Sequence, residues 1–223
     1  VFNLQLDTES GQAKVENREV KLSKLSLTAK ASASKLDVEQ LQLNSDLGEV
    51  RAKGKVEDFK TLRYGFEIES NLKLQQLADL AFPEVPMQGQ VAANGKLEGE
   101  SKTYKFNGSV SVPDLIIKNT RLRGVQLPQV SADGNPDHVK LNLGRANVQT
   151  LTLDNVVVSG IGAGIISGEI KLNGKDTESR FDAPTATVAA VTWPDSKLSN
   201  LTISKVATTI QGDKYEVNAA ANV

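Results

Sequence analysis

Apolar and polar residues alternate with a period of two along most of this chain. Val50, Ala52, Gly54 and Val56 open one such set, and Tyr64, Phe66 and Ile68 form the next. The pattern returns at Val91, Ala93, Gly95 and Leu97, at Phe106, Gly108, Val110 and Val112, at Val139, Leu141 and Leu143, at Ile170 and Leu172, and at Val217. Successive side chains of a strand point to opposite sides, so each set belongs to one face of a sheet. The chain is therefore predicted to be all-β and antiparallel. One stretch departs from the pattern: Leu74, Leu77, Ala78 and Ala81 follow helical spacing and Pro83 comes after them, which predicts a single short helix near 74–81. A helix of roughly two turns does not hold itself together in water, so it is expected to pack on a sheet face or plug an end. Pro113 to Pro128, Asp133 to Asp137 and Gly160 to Gly164 are rich in turn residues and read as loops or turns.

The strands also repeat. Gly48 to Lys55, Gly89 to Lys96 and Gly168 to Lys175 share the form Gly-x-(Val/Ile)-x-(Ala/Leu)-x-Gly-Lys, and degraded copies start at Pro128 and Val206. The unit is about 40 residues. The second glycine is expected to supply the φ for a turn into the next strand, and strands of ordinary length would give about four per unit. The expectation is one repeating β domain over 1–223, with units starting near 48, 89, 128, 168 and 206. Because Phe2, Leu4 and Leu6 already alternate like the middle of a strand, the chain reads as a piece of a longer protein.

Composition narrows the chemistry. Aromatics are only 4% of the residues, so burial must rest on Val, Leu, Ile and Ala. Lys plus Arg number 26 against 27 Asp plus Glu, and with no basic block there is no footprint for nucleic acid. The absence of cysteine excludes disulfides and thiolate chemistry. His138 is the only histidine; it follows Asn135-Pro136-Asp137 and reads as a solvated loop residue, with no Gly-x-Ser-x-Gly elbow in the chain. The Gly-Lys pairs fail the phosphate-loop spacing, and Val56, Leu97 or Asp176 stands where the magnesium-binding hydroxyl belongs. Trp193 reads as an end-of-strand core or rim residue rather than a ligand platform. These features predict no enzyme, no cofactor and no metal.

The Gly-x-Val-x-Ala-x-Gly-Lys strands, the follow-on strand Tyr104 to Val110 and the leucine-rich run Leu72 to Leu80 resemble the AsmA/TamB superfamily of bacterial envelope proteins. That resemblance implies a long sheet curved into a U-shaped open groove, the β-taco. It implies a periplasmic segment of a parent anchored in the inner membrane, a role in moving phospholipid between the membranes or helping outer-membrane proteins assemble, and an outer-membrane barrel protein as partner through other parts of that parent. The residues agree at one point: every strand has an apolar face, and one short helix is too little to cover it. The expected acyl-chain lining is Val50, Ala52, Tyr64, Phe66, Ile68, Val91, Ala93, Phe106, Val110, Val112, Leu141, Leu143, Ile170, Leu172 and Val217. The competing architecture is a β-propeller, or a stacked sandwich with a closed core, serving as a structural or protein-interaction module.

Overall fold

The computed structural model describes residues 1–15, 18–81, 86–173, 176–211 and 214–222. Its strands are β1 (Phe2–Thr8), β2 (Gly11–Val15), β3 (Arg18–Ala31), β4 (Leu36–Ser45), β5 (Gly48–Asp58) and β6 (Arg63–Lys73), then β7 (Met87–Glu100) and β8 (Thr103–Ile117). They continue as β9 (Thr120–Asn135), β10 (His138–Leu153), β11 (Val156–Asn173), β12 (Asp176–Trp193), β13 (Ser196–Gln211) and β14 (Lys214–Asn222). The helix α1 (Leu74–Ala81) falls where the spacing places it and packs against β6 and β7.

The protein is all-β, a 14-stranded sheet ordered almost as the chain runs, with β1 at one end and β14 at the other. The sheet is open, and only β2 stands off the path, sharing the edge of β3 with β1. Neighbours in sequence are neighbours in space because most of the described connections are short antiparallel turns, while α1 lies between β6 and β7. Such an order has none of the separate four-stranded blades of a propeller.

Three expectations change. The repeat is a hairpin of two long strands, not four short ones: its copies fall on β5, β7, β9, β11 and β13. The turn-rich stretches are mostly strand: the turns within them are confined to 118–119 and 136–137, while β8 and β9 run through Pro113 and Pro128, β9 carries Gly134, and Gly160 to Gly164 lie inside β11. Prolines are accommodated because a strand tolerates a missing donor at an irregularity. Finally, Gly54 is not at a turn but four residues short of the end of β5. A Cβ there would collide with the carbonyl oxygen of Gly65 and sit 2.8 Å from the ring of Phe66. Turns use other residues: Leu62, Ser101, Lys118 and Asp154 take positive φ at the ends of hairpins. The glycines closing two later copies, Gly174 and Gly212, lie outside the described residues, as does Pro83.

The chain divides into two compact units, 1–106 and 107–223. Within the described residues the buried apolar side chains are few: Val20, Ala29 and Val38 in the first unit, and Val130, Ala146, Ala183 and Val188 in the second. Among the described residues no large side chain is fully buried.

Candidate functional site: an uncovered apolar face

In the first unit the register sets the face. Directly opposed residues of an antiparallel pair share a side. Leu43, Val50, Ser70 and Ala93 form one such line across β4 to β7, and Leu41, Ala52, Ile68 and Gly95 form the next. Phe66 lies between Gly54 and Leu97, and Tyr64 between Val56 and Gly99. Val91 joins the same side opposite Leu72. All seven residues expected in this unit's strands β5 to β7, from Val50 to Ala93, therefore lie on one face, half-buried. The aromatic rings lie down on glycines: a Cβ on Gly99 would be 2.5 Å from Tyr64 Cζ. The two rings sit 6.2 Å apart and tilted, within the range of a favourable aromatic pair.

The opposite side is charged. Lys53 meets Glu67 at 2.9 Å across β5 and β6, Lys30 meets Glu39 at 2.5 Å, and Lys55 meets Glu57 at 2.6 Å. Hydrogen bonding to Lys53 holds the Glu67 carboxyl below the usual carboxylate range, and the same bond raises the Lys53 ammonium. A depression of about 550 Å³ is bounded by Arg51, Lys53, Glu67, Glu69, Asn94 and Lys96, which puts it on this polar side. Lys53 and Glu67, both on its rim, pair with each other.

The second unit is built differently. On β10 the apolar positions run Leu141, Leu143, then step by three to Ala146, Val148, and by three again to Leu151, Leu153. Every strand from β9 to β13 makes the same two steps. On β12 they fall between Ala183 and Ala186 and between Val188 and Val191; on β11 between Ile166 and Ala163 and between Ile161 and Val158. The register aligns them, since Ala146, Ala163, Ala186 and Ile203 form one cross-strand line and Val148, Ile161, Val188 and Leu201 the next. Two rows of residues mark the steps. One row is Gly124, Gln149, Gly160, Ala189 and Asn200; the other is Gln129, Gly144, Ile165, Pro184 and Lys205. Positive φ occurs at Gly124, Gly160 and Asn200 in the first and at Gly144 and Lys205 in the second. A strand residue in the left-handed region turns the following side chains over. Because the three-residue step falls at the same level in all five strands, the same face stays apolar across both rows.

Leu141 and Ile170 thus share a face with Val139, Gly168 and Phe181, and Leu143 is half-buried beside Gly144. Phe106, Val110 and Val112 are half-buried along β8 with one parity. For Leu172 and Val217 only the backbone is described, opposite Thr177 and Thr208. Strict alternation missed the two further apolar bands, from Ala146 to Val148 and from Leu151 to Leu153 and their neighbours. The signal that finds them is the three-residue step recurring at the same five-residue interval in successive strands. On the polar side, His138 is not a loop residue: it opens β10, and its Nε2 lies 2.5 Å from Glu169 Oε1. That bond holds the Glu169 carboxyl below its ordinary range. Trp193 ends β12 at the rim and is partly exposed.

No family model, curated protein or solved structure matches this chain.

Proposed function

We propose that this protein binds and conducts lipid acyl chains along its apolar sheet face, as a periplasmic segment of an inner-membrane-anchored parent that moves phospholipid towards the outer membrane. What supports the reading is a face of Val, Leu, Ile, Ala and a few aromatic side chains that runs from strand to strand within each unit and is half-exposed among the described residues. Soluble proteins rarely leave contiguous apolar surface uncovered unless something occupies it. An acyl chain laid on such a surface gains roughly 0.8 kcal/mol for each CH₂ removed from water, and no single residue is required. The charged side, with its ion pairs satisfied, faces solvent.

Aid to outer-membrane protein assembly is a second part of the reading. It draws on the likeness of the Gly-x-Val-x-Ala-x-Gly-Lys strands to the AsmA/TamB superfamily. The barrel-protein partner would engage other parts of the parent.

The deciding experiment places a photo-crosslinking amino acid at Phe66 and Ile170 in cells, with Lys53 as the polar-side control. Phospholipid captured from the first two and not from Lys53 is the expected result. Equal capture from all three sites, or none from any, rejects an apolar lipid path.

A further inference from the structure

We propose that the polar side of the second unit carries a phosphodiester-binding site, a depression of about 890 Å³ in which Arg145 meets the anion. It lies on the side opposite the apolar face and requires no lipid on that face.

Four strands assemble it, all from the second unit: Asn107 comes from β8, Gln129 and Ser131 from β9, Asn142 and Arg145 from β10, and Ile165 from β11. Asn142 stands opposite Ser131, next to the Leu141 and Ala132 pair of the apolar face, and Arg145 stands opposite Ile165. Alternation puts Asn142 and Ser131 on the polar side. The ladder between β9 and β10 stops at that pair and resumes only at Gln126 and Asn147. The depression lies at this gap. Gly144 keeps the two strands close within it, since at φ 55° an added Cβ would lie 2.8 Å from the Gln129 carbonyl oxygen.

Charge decides what the depression holds. Arg51, Arg63, Arg121, Arg123 and Arg180 each meet a carboxylate at 3.9 Å or less. Among the arginines whose side chains are described, Arg145 alone does not, and it is exposed. No carboxylate lines the depression, whereas Glu67 and Glu69 border the one in the first unit. A guanidinium without a counter-ion offers five N–H donors in a planar fork, which suits the oxygens of a phosphate or a carboxylate.

The neighbouring donors select phosphate. Asn142 Oδ1 accepts from the Gly144 N–H at 3.0 Å, which leaves the NH₂ as the group Asn142 presents. The side chains of Asn107, Gln129 and Ser131 make no hydrogen bond among the described residues. A carboxylate has two oxygens in one plane, and the fork satisfies both. A tetrahedral phosphate turns its remaining oxygens towards donors on the flanking strands. One cation matches the single negative charge of a diester better than the roughly 1.5 to 2 charges of a monoester. Ile165, 58% exposed beside Arg145, gives the ester carbons an apolar contact.

The test titrates the full chain, labelled with nitrogen-15, with glycerophosphoglycerol and follows it by NMR. Saturable shifts are expected at the Arg145 Nε–H and at the Asn142 and Gln129 side-chain amides. Arg145→Gln should weaken binding about tenfold or more, as loss of a charged hydrogen-bond partner does. Ile165→Asp sets a carboxylate directly across from Arg145 and should abolish the shifts; it carries the test alone if Arg145→Gln fails to fold. Lys140→Gln removes a positive charge from the same side of β10, outside the depression. Its effect should stay within about twofold, because five strand residues exceed the Debye length. Sedimentation with phosphatidylglycerol vesicles separates the sources: Arg145-dependent vesicle binding assigns a lipid headgroup, and Arg145-dependent binding of the soluble diester alone assigns a free one. No Arg145-dependent binding of either probe, shifts retained in Ile165→Asp, equal weakening by Lys140→Gln, or acetate bound as tightly as the diester overturns the proposal.

Discussion

Strands β5 to β7 and strands β10 to β12 solve one problem in two ways. Both must keep one side apolar over long strands. The first set does so with unbroken alternation: Gly89, Val91, Ala93, Gly95, Leu97 and Gly99 succeed one another on β7 with no change of parity. The second set changes parity twice and corrects for it in sequence, so that Leu143 is followed by Ala146 and Val148 by Leu151. The difference teaches that apolar periodicity specifies the face only together with the backbone. A three-residue step in one strand is a bulge; the same step at one level in five strands is an architectural line.

That contrast gives a series of substitutions. The largest effect is expected in the regular set at Gly54. Gly54→Ala drives a Cβ into the Gly65 carbonyl oxygen and should cost about 2–4 kcal/mol. Gly65→Ala, whose Cβ would meet only Glu98 Cγ at 3.8 Å, should change the denaturation midpoint little. Equal losses from the two would remove the explanation given for the repeat glycine.

Next, Ile165 and Ile166 separate the two readings of β11. Ile165 is exposed on the row, whereas Ile166 is half-buried with the apolar set. Ile166→Asp should destabilise by about 2–3 kcal/mol, as an unpaired charge brought into an apolar surface does, and Ile165→Asp should stay within about 0.5 kcal/mol of the parent. Urea titration followed by far-ultraviolet dichroism reads both. A reversed order would mean that the face is misassigned.

A gain is expected at Lys205, where a long side chain holds φ at 55°. Lys205→Gly relieves that conformation and should stabilise by about 0.5–1 kcal/mol, less the added freedom of the unfolded chain. The corresponding change at Lys53, in a regular strand, should be destabilising, as glycine within a strand is. A fall in thermal midpoint for Lys205→Gly would show that the row does not need the left-handed residue.

The smallest effect is electrostatic. The carboxyls of Glu57 and Glu67 in the first unit, and of Asp114 and Glu169 in the second, are held low by hydrogen bonds from Lys55, Lys53, Arg121 and His138. Their folded values lie below the unfolded ones, so the stability they contribute is present above the ordinary carboxylate range and lost as pH falls through the lowered values. These groups are solvent-exposed, so thermal midpoints should decline only slightly between pH 6 and pH 3, roughly the window of carboxylate titration. Lys53→Met should reduce the decline, and a steep acid transition in the parent would point to charges buried elsewhere.

The face of β5 to β7 was legible from sequence because these strands alternate regularly up to Val56, whereas β3 and β4 step by three between Leu22 and Leu25 and between Val38 and Leu41. The helix at Leu74–Ala81 was legible from its spacing and the proline after it. The apolar residues from Val50 to Ala93 meet on one face for the same reason. The second unit was less so. Pro113, Pro128 and Pro184 and the glycines from Gly160 to Gly164 carry turn chemistry locally, yet they sit in strands because neighbouring strands pair on both sides of them. Turn residues announce a departure from regular backbone without saying whether the chain reverses or only bends. Strand length was hidden likewise, since each parity step looks like a strand end when one strand is read alone. The partner of His138 was out of reach, as Glu169 lies 31 residues away and meets it only through the register of β10 and β11.

The two-strand repeat also has a bearing on how such a chain grows. A hairpin starts and finishes at the same end of the sheet, so duplicating one repeat adds two strands and leaves every later residue on its original side. Each copy extends the sheet by about 10 Å, two inter-strand spacings. A sheet built this way lengthens in whole hairpins, and a longer one needs no redesign of any strand already present.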